Sequence, residues 1–330
     1  MSERVGLAVV GPGWWGRVLA DAIGRTSSAE VVSCFARTVK TRAEFAADYN
    51  CSAAASLEEL LADEAVQGVV YATPHTLHRS NIEQAAAAGV HTFVEKPFTL
   101  TADDGRAAAA AAEAGGIQLM VGHQRRRQTA NRAIRAMIDD GTIGTPVQAE
   151  ATFNVAMGYP DSWRVDPSET PLGGMTALGV HHLDTFHYLL GEVARVSAFS
   201  NPVLSDQPLD HATGVLLEFR SGAVATLLTT HFAPMANRVT VWGSAGAGFN
   251  ENDGGRLFTQ DRNDPTRSEE SIEPNDALAE QMAEFAAAIR GKATIETGGD
   301  EGVAVIEVFE AALASARRGQ VVDVDEFRAG

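Results

Sequence analysis

Cysteine is nearly absent: a chain of 330 residues carries two, Cys34 and Cys51. Neither lies in a metal-spaced cluster and no His-Glu-x-x-His segment occurs, so neither a disulfide scaffold nor a metal requirement is expected. Basic residues are also few, 26 Lys and Arg against 43 Asp and Glu, for a formal net charge of −17. That balance argues against nucleic acid or an anionic membrane as partner, because both need a basic surface. No run of about 18 apolar residues exists, so no membrane-spanning helix is expected. The first strand-like run begins by Val5, leaving no room for a signal peptide; with reduced thiols, this points to the cytoplasm. Internal repeats and long low-complexity tracts are missing as well. What remains, 45% hydrophobic and 21% charged residues, is the composition of an ordinary globular protein long enough for two domains.

The first 122 residues alternate short apolar runs with helical patterns. Strands are expected over 5–10, 31–35, 68–72, 91–94 and 117–121, and helices over 14–25, 41–49, 56–61, 76–89 and 101–114. Continuous apolar strands without in/out alternation, between Ala-rich helices, indicate a parallel sheet covered on both faces. This is a doubly wound α/β domain, which binds ligands at the carboxyl ends of its strands. Over 123–330 the texture changes. Strands are expected at 146–155, 193–201, 212–219, 223–231 and 237–243, joined by tight connections such as Arg220-Ser221-Gly222. Helices are expected over 178–190, 276–290 and 302–317. The second domain therefore reads as α+β with a mostly antiparallel, open sheet, and its C-terminal segment can pack back on the first domain.

Gly11-x-Gly13-x-x-Gly16 follows the strand at Val5–Val10 and opens a helix. The three glycines serve a tight turn, a close approach to a pyrophosphate, and close helix–strand packing. The helix N-terminus, with Trp14 and Trp15, offers free amides and the positive end of a dipole. A dinucleotide cofactor, NAD or NADP, is the expected ligand. Where NAD-preferring loops end the second strand with an acid, this strand ends Cys34-Phe35-Ala36-Arg37-Thr38. Arg37 and Thr38 suit a 2′-phosphate, with Lys40 and Arg42 close by, so NADP is favoured. Alternatively, Arg37 stacks on the adenine of either cofactor.

The run 91–94 leads into Glu95-Lys96-Pro97, which places a lysine at a strand's carboxyl end beside the expected nicotinamide. Partial desolvation there suits Lys96 to acid–base work on a hydroxyl. Thr73-Pro74-His75-Thr76-Leu77-His78 ends the preceding strand in the same layer, which puts Thr73, Pro74, His75 and His78 near the cofactor.

The succession GxGxxG, TPHxxH, VEKP and GGMTALGVHHLD resembles the Gfo/Idh/MocA family of glucose–fructose oxidoreductase and inositol dehydrogenase relatives. The resemblance covers nearly the whole chain, including LAEQMAEFAAAIRG at 278–291 and the closing helix and strand through Val324. It implies a Rossmann domain followed by an α+β domain whose sheet serves both active site and subunit interface, hence a homodimer or homotetramer. It also implies hydride transfer at a secondary alcohol of a sugar, a cyclitol or a related diol. By motif, Lys96 corresponds to the catalytic lysine and Glu95 to a cofactor-contacting residue. His181 corresponds to the histidine of DxGxH, and Asp184 follows as in HxxD. The aspartate of DxGxH falls on Ala177, so the carboxylate that accompanies the histidine is missing. His123 stands where relatives often carry other polar residues.

Helical spacing puts His181, Asp184 and Tyr188 near one face, so that Asp184 can hold the His181 ring. His182 and His187 read as packed helix residues. Tyr159, Trp163 and Arg164 lie in a loop after the first long strand of the second domain, where an aromatic–Arg pair serves as a substrate clamp or as a packed anchor. Arg125-Arg126-Arg127 reads as the opening of a helix with a mostly solvated face, from which Arg126 can instead point into the cleft. The mechanism implied is proton removal from a carbinol by Lys96 with hydride leaving for the nicotinamide, His181 holding the substrate. An enzyme with tightly bound NAD doing net hydrolysis or elimination, or a non-catalytic NAD(P)-sensing regulator, are the alternatives.

Overall fold

The structure is a computed structural model that describes residues 4–156, 163–204, 209 and 212–328. It divides into two compact units, 1–124 with 276–303, and 125–275 with 304–330.

In the first unit, β1 (Val5–Val10) is buried at every position. It pairs in parallel with β2 (Ala29–Phe35) on one side and β4 (Gly68–Tyr71) on the other. A short β3 (Ser52–Ala53) extends one edge, and β5 (His91–Val94) and β6 (Leu119–Val121) extend the other. The order β3-β2-β1-β4-β5-β6 is that of the doubly wound dinucleotide fold. The connecting helices are α1 (Trp14–Gly24), α2 (Val39–Tyr49), α3 (Leu57–Leu61), α4 (His78–Ala87) and α5 (Ala102–Ala114). Two begin on side-chain caps, Ser56 accepting from Glu59 N and Thr101 from Asp104 N, each worth about 1 kcal/mol.

The second unit opens with α6 (Thr129–Asp139) and the long β7 (Pro146–Ala156). After the π-helical turn Met175–Gly179 comes α7 (Val180–Leu190). Then follow β8 (Val193–Asn201), β9 (Ala212–Phe219), β10 (Val224–Thr230), β11 (Phe232–Gly243), β12 (Gly246–Glu251), β13 (Arg256–Asp261) and β14 (Ser268–Glu270). The sheet is not a simple run of hairpins. β7 lies between β10, to which it is parallel, and β11, to which it is antiparallel. Alternation along β9 and β10 buries Val215, Leu217, Ala225 and Leu227 against Val180, Leu183, Phe186 and Ile134. Full burial of each Val, Leu, Ile or Phe among these contributes about 1.5–3 kcal/mol. The opposite face leaves Phe199, Leu216 and Leu228 exposed.

The chain then returns to the first unit through α8 (Ala277–Ile289), whose Met282, Phe285 and Ala286 join the core around Val5, Leu7, Val9 and Phe93. The division between units falls inside α9 (Gly299–Arg318), and β15 (Val322–Asp323) closes the second sheet beside β8. Among the described residues, no helix is long and apolar enough to cross a membrane.

Candidate active site

Three segments of the first unit end on the carboxyl edge of its sheet: the glycine loop after β1, Thr73-Pro74-His75 after β4, and Glu95-Lys96 after β5. Gly11 has φ +82° and no room for a side chain, since a Cβ there would stand 2.5 Å from the Ala72 carbonyl oxygen. A Cβ on Gly16 would stand 2.5 Å from the Gly11 carbonyl oxygen, so both glycines are needed for packing. Gly13 differs: a Cβ there would meet nothing within 4 Å. It is the N-cap of α1, and no side chain caps that helix. Open space in front of uncapped amides is what a pyrophosphate requires, so the loop fits a dinucleotide. Trp14 is exposed beside it, and the half-buried Trp15 ring lies 5.4 Å away, packed on the core.

At the end of β2, Arg37 and Thr38 are exposed. The other two cations near them are occupied. Arg42 donates to the carbonyls of Ala36 and Ala55, and Lys40 lies 3.8 Å from Glu44.

Glu95 is buried, and its Oε2 accepts from Lys96 N at 3.3 Å. Gly122 is small for this reason, because a Cβ there would stand 2.9 Å from Glu95 Oε1. Lys96 itself is half-buried, and the Lys96–Pro97 peptide is cis. His78 has no exposed surface to offer a ligand. Its Nδ1 donates to the Pro97 carbonyl at 2.9 Å, and Nε2 lies 3.2 Å from the Thr73 carbonyl. It braces the lysine segment against the end of β4. His75 packs edge-on against it at 5.7 Å, and Thr73 accepts from Asn81 at 3.0 Å. His123 is buried just beyond β6.

In the second unit the largest departure from expectation is the arginine run. Arg125, Arg126 and Arg127 form a buried 3-10 turn ahead of α6, where a solvated helix face was expected. Asp184, fully buried, accepts from Arg126 through both oxygens, from Nε at 3.1 Å and from Nη2. The guanidinium also stands 5.5 Å from the Tyr188 ring. Asp184 and Tyr188 thus share a face of α7 as the spacing indicated, and Arg126 lies against both. A cation in a chain this acidic was the available signal, though it does not name Asp184.

His181 is buried on α7, its ring 6.0 Å from that of Phe153 on β7. Ala177 lies in the π-turn, where the next helix position is reached after more than four residues. Met175 lies across Gly179 in this turn, where a Cβ would stand 2.0 Å from its sulfur. Trp163 and Arg164 form a short 3-10 turn in which the guanidinium stacks on the indole at 4.4 Å. Tyr159 lies outside the described residues.

His182 lies 5.7 Å from Phe153 and is buried, which pushes its imidazole down to about 3; the charge of Arg125 acts in the same direction. This sets a pH dependence. Above the ordinary histidine value of 6.5 the ring is neutral folded or unfolded, and contributes nothing to the slope. Below it the unfolded chain binds a proton that the folded chain refuses. Stability therefore falls from about pH 6.5 toward pH 3, by up to ~1.4 kcal/mol per pH unit. Urea midpoints at pH 7 and pH 5 should separate more in the wild type than in His182→Gln. Equal separations would remove this role.

Residues 5–123 match the oxidoreductase family with an NAD-binding Rossmann fold, and residues 131–248 match the GFO/IDH/MocA C-terminal domain. D-apiose dehydrogenase of Paraburkholderia graminis is 30% identical, over 98% of this chain and 90% of its own. 1,5-Anhydro-D-fructose reductase of Ensifer adhaerens is 27% identical, over 94% of this chain and 98% of its own. A solved structure from Desulfitobacterium hafniense is similar with a TM-score of 0.94 and 31% identity, covering 99% of both chains.

Proposed function

The chain belongs to the GFO/IDH/MocA family and is an NAD(P)-dependent oxidoreductase, and from that premise we propose that it acts at a secondary alcohol or ketone of a sugar, cyclitol or related diol, with Lys96 as the acid–base group. The observation that carries this reading is the placement of Lys96. It is half-buried after β5, on the same sheet edge as the glycine loop and two strands away, roughly 10 Å at ordinary strand spacing.

When bound, the nicotinamide cofactor supplies the two-electron acceptor. The open Gly13 corner and the α1 amides hold its pyrophosphate. Buried Glu95 fixes the backbone of Lys96, and the His78 brace fixes the segment behind it. Lys96 takes the proton of the substrate carbinol, and returns it in the reductive direction. His181 orients a substrate hydroxyl, with Trp163 and Arg164 offering a stacked aromatic–cation surface. The missing carboxylate at Ala177 favours a substrate with fewer hydroxyls to satisfy there. A panel of polyols, cyclitols and dihydrodiols followed at the nicotinamide absorbance tests the reading. A protein that binds the cofactor stoichiometrically and turns over none of them would overturn it.

For the cofactor we infer NADP. Arg37 is the one cation at the end of β2 that carries no hydrogen bond or ion pair among the described residues, and no acid stands there to bind a ribose 2′-hydroxyl. A charge-assisted contact of 1.5–3 kcal/mol makes Arg37→Ala weaken NADP by about 10- to 100-fold and NAD by much less. Paired titrations measure this, and equal losses would count against a 2′-phosphate role.

A further inference from the structure

We propose that Asp253 is a positioning residue for His181, acting through Arg125 and Phe153; the catalytic sense of this rests on the role given to His181 above. The connection between β12 and β13 is unusual in its backbone. Asn252, Asp253 and Gly254 follow one another with φ of +55°, +55° and +88°. Asn, Asp and Gly are the residues by which hairpin loops reach the left-handed region, and what matters here is where this loop puts the Asp253 side chain.

Here the surroundings are explicit. Asp253 N donates to the Asn237 carbonyl at 3.0 Å, and Gly254 N donates to Asn250 Oδ1 at 2.9 Å. The Asp253 carboxylate then collects three donors: Asn237 Nδ2 at 2.9 Å, Gln128 Nε2 at 2.8 Å and Arg125 Nη2 at 3.1 Å. The turn is therefore bent to deliver a carboxylate to one place, and the charged partner waiting there is Arg125.

Arg125 is buried, and burial pulls its guanidinium toward the neutral form while Asp253 opposes this. Its backbone is held too: the Arg125 carbonyl accepts from Asn131, which accepts in turn from Asn250 at the base of the same turn. The guanidinium lies 4.5 Å over the centroid of Phe153. That ring also neighbours His181 at 6.0 Å and His182 at 5.7 Å. Phe153 thus touches both a cation fixed by Asp253 and the two imidazoles at the start of α7. Without the carboxylate, a buried guanidinium has no counter-charge and its favourable course is to leave the ring for water. Phe153 then gains freedom, and the His181 ring packed against it shifts.

The test is Asp253→Asn, with Asp253→Glu as the conservative variant, in the full-length protein. Imidazole resonances of histidine-labelled protein report the local effect, and steady-state kinetics report the catalytic one. The His181 and His182 resonances should move, while those of His75, His78, His91 and His123 in the first unit hold. With the best substrate of the panel, kcat should fall about 10- to 100-fold, with KM and cofactor affinity nearly unchanged. Asp253→Glu should recover most of kcat. Unmoved His181 resonances would overturn the proposal, as would moved resonances with a wild-type kcat where His181→Ala has lost activity. Where Asp253→Asn does not fold, Arg125→Met removes the intermediate link and is expected to give the same resonance shifts and the same loss. If the resonances move but His181→Ala keeps full activity, the positioning stands and the catalytic reading of His181 falls.

Discussion

Lys96→Ala should lose about 10²- to 10⁴-fold in kcat while binding the cofactor within a few-fold of wild type. The range is what a positioned acid–base group contributes to a proton transfer. The asymmetry follows from the local structure. Lys96 is half-buried, and the groups that shape its segment are the buried Glu95 and the His78 brace, not the lysine side chain. Truncation therefore removes an ammonium group without removing the glycine loop or the Gly13 corner. Activity in the variant should be partly restored by added primary amines, because the missing function is proton transfer rather than shape. Rates from single-turnover absorbance changes, with cofactor affinity from fluorescence titration, would separate the two effects. Unchanged turnover would sink the acid–base role, and lost cofactor binding would make Lys96 a binding residue instead.

How much of this was readable before the fold depends on the range of the interaction. β1 and β5 have the expected ends because each is a short apolar run buried on both faces. The glycine loop is equally local, since the constraint on Gly11 comes from the neighbouring strand of one sheet. β12 was missed: Gly246, Ala247 and Gly248 carry too little side chain to register as a strand, although the strand is almost wholly buried. The π-turn was missed for a related reason, because the contact between Met175 and Gly179 has no periodic signature. The arginine run was misread for the opposite reason. Local composition assigns three consecutive cations to water, whereas two of them meet carboxylates 58 and 128 residues away, Arg126 with Asp184 and Arg125 with Asp253. His78 shows the limit of motif transfer: its place in TPHxxH was legible, but its use as a brace between two carbonyls was not.

The Arg126–Asp184 pair yields the largest expected effect on stability. Asp184 has no exposed side-chain surface and Arg126 has 8%. Neither charge can recover solvation without rearrangement, so removing one takes a counter-charge from the other in a buried place. Asp184→Ala should cost about 3–5 kcal/mol, the usual penalty for breaking a buried pair from one side. Against a total stability of about 5–15 kcal/mol this is severe. In a unit of this size it should lower the melting temperature by about 6–20 °C. The pair itself need not be a net source of stability, because the desolvation of both ions offsets most of their attraction. Asp184→Leu combined with Arg126→Met should therefore melt much closer to wild type than either single change. Differential scanning calorimetry on the three variants gives the coupling directly. A single Asp184→Ala variant that melts like wild type would refute the burial argument. Stability recovered by the double variant without recovery of kcat would mean that the charges themselves serve the reaction. Recovery of both would make the pair a structural clamp that holds α7, and with it His181, against the turn before α6.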